Sequence, residues 1–183
     1  MSRRGLIAQC LDRWVIKWVM DLFVLRTGDA SNIKWLNKYV WQYPLDAWII
    51  REVVSEYKLE IIIEIGTFRG GLTFFLACLC NLLSYGRIIS IDIEPVETIG
   101  HPRISYIQDS LVGQVLIGRI EEELCEFNPN RVLIVLDSDH SMKHLLSKLR
   151  VYSRFVPVSS YIHMQYGIII NCLDSKREDL GQR

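Results

Sequence analysis

The segment EIGTFRGG (Glu64–Gly71), preceded by the apolar run Leu59–Ile63, decides the fold. An apolar strand that leads into a glycine-rich turn and then an apolar helix forms a cradle for a nucleotide-sized ligand. The glycines let the backbone approach that ligand, and the helix presents its free N–H groups to it. The acid, Glu64, stands at the end of the strand and before the glycines. This position favours S-adenosylmethionine over a dinucleotide, because the methionine end of S-adenosylmethionine is cationic and has no pyrophosphate to bind. On spacing alone, a βα turn in another kind of α/β domain is the alternative.

Strand and helix patterns alternate on both sides of this segment. Near-continuous apolar runs such as IIIEI, IISIDI and VLIVL indicate strands buried on both faces, as in a parallel sheet covered by helices. The expected fold class is therefore α/β. The predicted strands are Glu60–Ile65, Arg87–Ile93, Arg103–Ile107, Arg131–Leu136 and at least one within Ser159–Ile170, and the predicted helices are Leu45–Tyr57, Gly71–Ser84, Leu111–Phe127 and Ser141–Phe155.

Composition narrows the class of protein. The 183 residues are half hydrophobic and carry no formal net charge, which suits one domain with a sizeable core and gives no electrostatic sign of nucleic-acid binding. Five cysteines, scattered through mostly apolar patterns, predict reduced thiols in a cytoplasmic protein.

Residues 6–25 are the most hydrophobic stretch near the N-terminus, but charged residues interrupt it. Arg13, Lys17 and Asp21 recur four residues apart, as expected for the wet face of a helix, so a transmembrane span is not predicted. The opposite face could pack on the domain, form a homo-oligomer or rest on a membrane interface.

Acidic and polar residues follow several predicted strands. Asp92 ends the second strand, where an acid can bind both ribose hydroxyls, although it could instead be a turn residue or yield this role to Glu94. Asp109 and Ser110 follow the third strand and could contact an adenine ring or cap the next helix.

The run Asp137-Ser138-Asp139-His140 ends the fourth strand. Carboxylates at this edge could bind Mg²⁺, with substrate and water completing the octahedron. Alternatively, Asp139 caps the next helix and Asp137 closes the strand. His144 follows His140 by one helical turn, but this pair predicts no zinc site without a third ligand.

Five motifs in order resemble the cephalosporin hydroxylase / rhamnosyl O-methyltransferase family of S-adenosylmethionine-dependent methyltransferases. The likeness runs from about Tyr43 to about Tyr161. The motifs are YPLDAW (Tyr43–Trp48), IIEIGTFRGG (Ile62–Gly71), GRIISIDIEP (Gly86–Pro95), HPRISYIQ (His101–Gln108) and LDSDHS (Leu136–Ser141).

The resemblance implies a three-layer Rossmann-like methyltransferase fold with S-adenosylmethionine at the strand ends. It implies an N-terminal helical segment (1–42), the S-adenosylmethionine-binding domain (43–170) and a polar tail (171–183). Asp139 would be the first Mg²⁺ ligand and, with His140, the catalytic pair beside the acceptor hydroxyl. The residues expected to bind S-adenosylmethionine are Glu64, Gly66, Thr67, Arg69, Gly70, Asp92, Gln108, Asp109, Ser110 and Asp137.

The chain departs from the family pattern after the fifth strand. Gln165 and Tyr166 stand where the family has an acid pair that completes the metal site. Three interpretations follow: a truncated or frameshifted family member, a divergent enzyme that needs no metal, or a pseudo-enzyme. We also expect the antiparallel C-terminal strands of the family to be missing. The predicted activity is O-methylation of a hydroxyl on a saccharide, glycolipid or secondary metabolite, and the alternative is a non-catalytic module that binds S-adenosylmethionine or a partner.

Overall fold

A computed structural model describes residues 33–42, 44–96, 98–110, 113–138, 141–157, 160–164 and 168–172, together with Val15, Trp18, Val19 and Leu22. The described chain forms a short hairpin and a central sheet flanked by four helices. In chain order the elements are β1 (Lys34–Trp35), β2 (Lys38–Tyr39), α1 (Pro44–Tyr57), β3 (Ile61–Ile65), α2 (Gly71–Leu82), β4 (Arg87–Asp92), β5 (Ile104–Gln108), α3 (Gln114–Phe127), β6 (Val132–Leu136), α4 (Met142–Tyr152), a 3₁₀ turn (Ser153–Phe155), β7 (Ser160–Met164) and β8 (Ile168–Cys172).

The central sheet has six strands in the order β5-β4-β3-β6-β7-β8. The first five strands of this order are parallel, which confirms the predicted α/β fold with a mostly parallel sheet. Strand β8 runs antiparallel to β7. The prediction that antiparallel C-terminal strands are missing was therefore wrong for this strand. The run IIINC is rich in β-branched residues, which favour a strand.

Alternation along β3 divides the core between the two faces of the sheet. Ile62 packs with apolar residues of α1 and α2 on one face. Ile61, Ile63 and Ile65 pack with residues of α3 and α4 on the other face. Glu64 shares the face of Ile62 and is completely buried. A strand buried on both faces therefore carries one charged residue into the core.

Strands β1 and β2 form an antiparallel hairpin, although the segment 1–42 was predicted to be helical. The two turn residues, Leu36 and Asn37, have φ angles of 45° and 67°. Two consecutive positive φ angles define the tight turn that joins antiparallel strands, and Asn tolerates this conformation well. Leu is unusual at the first turn position, so the hairpin has no recognisable turn signal in the sequence.

The hairpin lies directly against the start of α2. A Cβ atom added to Gly71 would stand 1.7 Å from the carbonyl oxygen of Tyr39. Only glycine permits this close approach of two backbones. The last residue of the glycine-rich segment therefore packs against the hairpin.

The predicted N-terminal helix falls mostly outside the described residues. Val15, Trp18, Val19 and Leu22 are helical and exposed, so this face does not pack on the domain at those four positions. Among the described residues, no helix is long and apolar enough to cross a membrane.

We expect Gly71→Ala to destabilise the protein by roughly 1–3 kcal/mol, because the new methyl group overlaps the Tyr39 carbonyl and the hairpin must move. Gly118→Ala is the matched control, since its Cβ would meet no atom within 4 Å in the described structure. Alanine in that helix should stabilise by about 0.5–1 kcal/mol. Urea unfolding followed by circular dichroism measures both, and equal effects would contradict the close packing of hairpin and helix.

Candidate ligand-binding site

The carboxyl ends of β3, β4, β5 and β6 meet along one edge of the sheet. The chain leaves β3 toward β4 and β5 on one side and returns to β6 on the other, so a crevice opens where the order reverses. The register places Ser90 beside Glu64 and Gln108 beside Asp92. Polar residues from distant motifs are thereby brought together.

Glu64 is the centre of a buried hydrogen-bond network. Its Oε2 atom accepts hydrogen bonds from Thr73 Oγ1 at 2.5 Å and from Ser90 Oγ at 2.6 Å. The hydroxyls of Thr67 and Ser90 lie 2.7 Å apart and form a further hydrogen bond of the network. The Oε1 atom of Glu64 is buried and has no partner among the residues that the structure describes. A buried oxygen without a donor is costly, so this atom marks a place for a ligand.

The acids around Glu64 disfavour one another's ionisation. The pKa of Glu64 is raised to about 8, mainly by burial and to a smaller extent by the nearby Asp137 and Asp92. The hydrogen bonds from Ser90 and Thr73 lower this pKa but do not offset the effect of burial. Burial and the buried Asp46 raise the pKa of Asp137 to about 6, and Lys148 acts in the opposite direction. Burial and mutual repulsion both disfavour the carboxylates. A cationic ligand between them would relieve that repulsion.

Backbone contacts hold the glycine-rich turn in place. A Cβ atom on Gly66, whose φ is +101°, would stand 2.3 Å from the carbonyl oxygen of Asp137. The next residue but one, Phe68, donates its backbone N–H to Asp92 Oδ2 at 2.8 Å. Glu94 N–H donates to the other oxygen of that carboxylate at 3.0 Å. Asp92 thus ties the turn after β3 to the end of β4, and each of its oxygens keeps a second lone pair for a ligand.

The turn after β6 is held by a buried lysine. Lys148, on α4, is 2% exposed, and its Nζ donates to Ser138 Oγ at 2.6 Å. The same side chain counteracts the raised pKa of Asp137. One cation therefore both positions this turn and moderates its charge.

Two cavities adjoin along this edge. The larger, about 210 Å³, opens between β4 and β5, and the smaller, about 20 Å³, lies at the glycine-rich turn. The larger is lined by Thr67, Ser90, Asp92, Glu94, Pro95, Val96, Thr98, Tyr106, Ile107 and Gln108. The smaller is lined by Tyr39, Trp41, Glu64, Gly66, Thr67, Phe68, Arg69, Gly71, Leu72 and Asp137.

Most of the predicted ligand-binding residues lie at these cavities. Gly70 adopts a left-handed conformation as the N-cap of α2, directly beside the smaller cavity. Asp109 and Ser110 line neither cavity. Instead, Asp109 Oδ1 accepts the backbone N–H of Ser110 at 2.6 Å. Neither residue is the helix cap, since the N-cap of α3 is Gly113 and no side chain caps it.

The predicted catalytic and metal residues lie outside the described residues. This holds for Asp139 and His140 and for the substituted positions Gln165 and Tyr166. In the described part of the chain, no group of three or more His, Cys, Asp or Glu side chains is arranged to hold a metal ion. The role of Asp139 as a Mg²⁺ ligand therefore stays a prediction.

Sequence reasoning missed the hydroxyl residues that support Glu64. Ser90 is the one polar residue within the apolar run IISI and precedes Asp92 by two positions, so both point to the same face of β4. Thr73 is a polar residue in the first turn of an apolar helix. An isolated polar residue in an otherwise apolar strand or helix was the signal that could have identified Ser90 and Thr73. The contribution of Tyr39 and Trp41 had no such signal, because the hairpin was not predicted.

Comparison with known families and proteins gives a consistent result. The family described as Rhamnosyl O-methyltransferase/CmcI matches residues 28–181. This match continues beyond Tyr161, where the motif-based likeness was expected to end. A rhamnosyl O-methyltransferase of Mycobacterium tuberculosis is 23% identical over 88% of this chain and 74% of its own length. The Mycobacterium leprae protein of the same name is 25% identical over 80% of this chain and 63% of its own length.

Solved structures of CmcI share the fold. An apo structure of CmcI has a TM-score of 0.59 at 14% identity and is matched over 73% of this chain. A CmcI structure with Mg and SAM has a TM-score of 0.57 at 13% identity over 75% of this chain. The chain spans 57% and 58% of the length of these two CmcI chains.

The raised pKa of Glu64 predicts that the ligand-free protein loses stability as the pH rises. The contribution of the protonated carboxyl is complete below about pH 4.5 and is lost progressively up to about pH 8, because the unfolded chain releases this proton first. The glutamine of Glu64→Gln is neutral at every pH. Between about pH 4.5 and pH 8, the free energy of unfolding of this variant should therefore rise relative to that of wild type by at most about 1.4 kcal/mol for each unit of increasing pH. Urea unfolding at pH 5, 6.5 and 8 measures this difference. The exposed Glu56→Gln is the control, and parallel pH curves for wild type and Glu64→Gln would contradict the burial of this carboxyl.

Proposed function

The chain belongs to the rhamnosyl O-methyltransferase/CmcI family, and on this premise we propose that it transfers the methyl group of S-adenosylmethionine to a hydroxyl of a saccharide. The methionine end of the cofactor would lie against the glycine-rich turn at the mouth of the smaller cavity, and the larger cavity would receive its adenosine. The saccharide acceptor is proposed because the named relatives are rhamnosyl O-methyltransferases.

The observation that carries the proposal is the unpartnered Oε1 atom of Glu64. It is buried at a cavity that also contains Asp137, and the pKa of each acid is raised. S-adenosylmethionine carries an ammonium and a sulfonium, the two charges that such a cavity favours. A neutral or anionic ligand would leave the repulsion between the carboxylates in place.

Each part of the site has a separate task. When bound, S-adenosylmethionine would supply an electrophilic methyl group on its sulfonium. Glu64 and Asp137 would bind the ammonium, and Asp92 would accept hydrogen bonds from the ribose hydroxyls with its free lone pairs. Thr73 and Ser90 hold the Glu64 carboxylate in one orientation, so the ligand meets a positioned acceptor.

The acceptor side of the reaction rests on predicted residues. The hydroxyl must lose its proton as it takes the methyl group, and Asp139 and His140 remain the candidates for that step. Asp139 would also provide the first oxygen for a Mg²⁺ ion. Gln165 and Tyr166 supply less charge than an acid pair, so we propose a site with weak Mg²⁺ dependence.

We expect S-adenosylhomocysteine to bind more tightly at pH 8 than at pH 6.5, because its ammonium requires the ionised form of Glu64. The gain is at most about tenfold per pH unit. Isothermal titration calorimetry in two buffers of different ionisation enthalpy would measure the dissociation constant and the protons released.

Glu64→Gln should bind more weakly at pH 8 and lose most of the pH dependence, whereas Glu56→Gln should behave as wild type. Absence of binding by the wild-type protein at every pH would refute the proposed function. Binding that is independent of pH would refute the role of Glu64.

Methyl transfer is tested with radiolabelled S-adenosylmethionine and a panel of simple glycosides that includes methyl α-L-rhamnopyranoside. We expect slow incorporation of label that requires a free sugar hydroxyl and rises little with added Mg²⁺. Asp92→Asn should reduce turnover at low cofactor concentration, because it weakens the ribose contact. Tight binding of S-adenosylhomocysteine without transfer to any glycoside would favour the alternative, a non-catalytic binding module.

A further inference from the structure

Three aromatic side chains form a rim around the smaller cavity. Tyr39, Trp41 and Phe68 all line it, and their exposed fractions are 39%, 48% and 50%. The ring centroids of Trp41 and Phe68 are 4.7 Å apart, with an angle of 59° between the ring planes. We call these three residues the aromatic rim. Rings that are in contact with each other yet half exposed at a cavity offer apolar surface to a ligand.

The aromatic rim is continuous with the methionine end of the site. The cavity that its rings line also contains Glu64, Gly66 and Asp137. A molecule resting on the rings would therefore lie next to the proposed methyl donor. This position is where the acceptor of a methyl group has to bind.

The backbone holds Phe68 in a costly conformation. Its φ angle is +50°, a region that residues other than glycine rarely adopt. Its N–H is fixed by Asp92 Oδ2 at 2.8 Å. A glycine would satisfy this turn without strain, as Gly66 and Gly70 do beside it. A large, half-exposed ring at such a position points to a function for the ring itself.

Arg69 adds polar groups to the rim. Its guanidinium lies 5.3 Å from the ring centroid of Phe68 and 5.8 Å from that of Tyr39. Arginine offers five N–H donors, and the hydroxyl of Tyr39 can both donate and accept. A sugar ring has the complementary chemistry, with C–H groups on its faces and hydroxyls around its edge. This mixture of apolar and polar groups fits a small polar ligand better than an apolar protein surface.

We propose that the aromatic rim is the acceptor subsite, in which Trp41 and Phe68 stack on a face of the saccharide ring and Arg69 binds its hydroxyls. This inference rests on the proposed function. It makes the hairpin a determinant of acceptor specificity, because Tyr39 ends β2 and Trp41 follows it by two residues.

The test measures the binding of methyl α-L-rhamnopyranoside with and without saturating S-adenosylhomocysteine, by isothermal titration calorimetry. We expect Trp41→Ala and Phe68→Gly each to weaken glycoside binding by about tenfold or more. Trp41→Phe keeps an aromatic face and should stay within about threefold of wild type. Phe68→Gly removes the ring without backbone strain, so it should keep its fold, which thermal unfolding checks.

Trp48→Ala is the control. Trp48 is 60% exposed and stacks on Arg51 at 4.1 Å, and it lines neither cavity of the site. We expect it to bind the glycoside as wild type does. Trp48→Ala should also bind S-adenosylhomocysteine within about threefold of wild type. Trp41 and Phe68 line the cavity proposed for the methionine end of the cofactor, so in Trp41→Ala and Phe68→Gly the loss of glycoside affinity should exceed any loss of S-adenosylhomocysteine affinity.

Several outcomes would overturn the inference. They are a wild-type protein that does not bind the glycoside, unchanged affinity in both Trp41→Ala and Phe68→Gly, an equal loss in Trp48→Ala, or a loss that falls on S-adenosylhomocysteine instead. Methyl transfer to a glycoside with an unchanged KM in Trp41→Ala would refute the aromatic subsite alone and leave the proposed function intact. A wild-type protein that does not bind S-adenosylhomocysteine would refute the proposed function.

Discussion

Glu64 is buried at the end of the central strand, and the surrounding structure is arranged around that one carboxyl group. Ser90 on β4 and Thr73 on α2 both donate to its Oε2 atom, so two neighbouring elements are committed to the same side chain. Its Oε1 atom has no donor among the described residues and lies at a cavity with a second acid, Asp137. A cationic ligand at this oxygen would favour the ionised form of Glu64 and would give its Oε1 atom a partner.

The fold was predictable because parallel strands buried on both faces leave long apolar runs in the sequence. The runs around Ile63, Ile89 and Ile134 gave the strands, and glycine and acid positions gave the edge where ligands bind. The hairpin was not predictable in the same way. Its strands have two residues each, and its turn begins with Leu36, which carries no turn signal. Strand β8 was not predicted because the likeness in motifs was expected to end at about Tyr161, although the run IIINC is rich in β-branched residues.

The candidate site was predictable where a residue both follows a strand and has a chemical reason to be there. Glu64, Asp92 and Asp137 meet that condition, and all three line the cavities. Asp109 also follows a strand, but its side chain accepts the backbone N–H of the next residue, Ser110, and lines neither cavity. The roles of Trp41 and Ser90 depend on which strands are neighbours, a long-range property that no local pattern contains. Asp139 and His140 lie outside the described residues, so their roles stay predictions.

The close contact between Gly71 and the Tyr39 carbonyl joins the hairpin to the domain, although the hairpin contributes little to the main core. The segment needed for folding is therefore shorter than the segment needed for the proposed site. Both halves of the sheet and helices α1 to α4 lie after residue 43, so a fragment that begins there keeps the main core. Such a fragment would nevertheless lack Tyr39 and Trp41 and would leave an open flank beside the glycine-rich turn. A boundary drawn from the core alone would cut through one wall of the proposed site. A change of sequence in the hairpin would therefore alter one wall of the proposed site and leave the main core as it is.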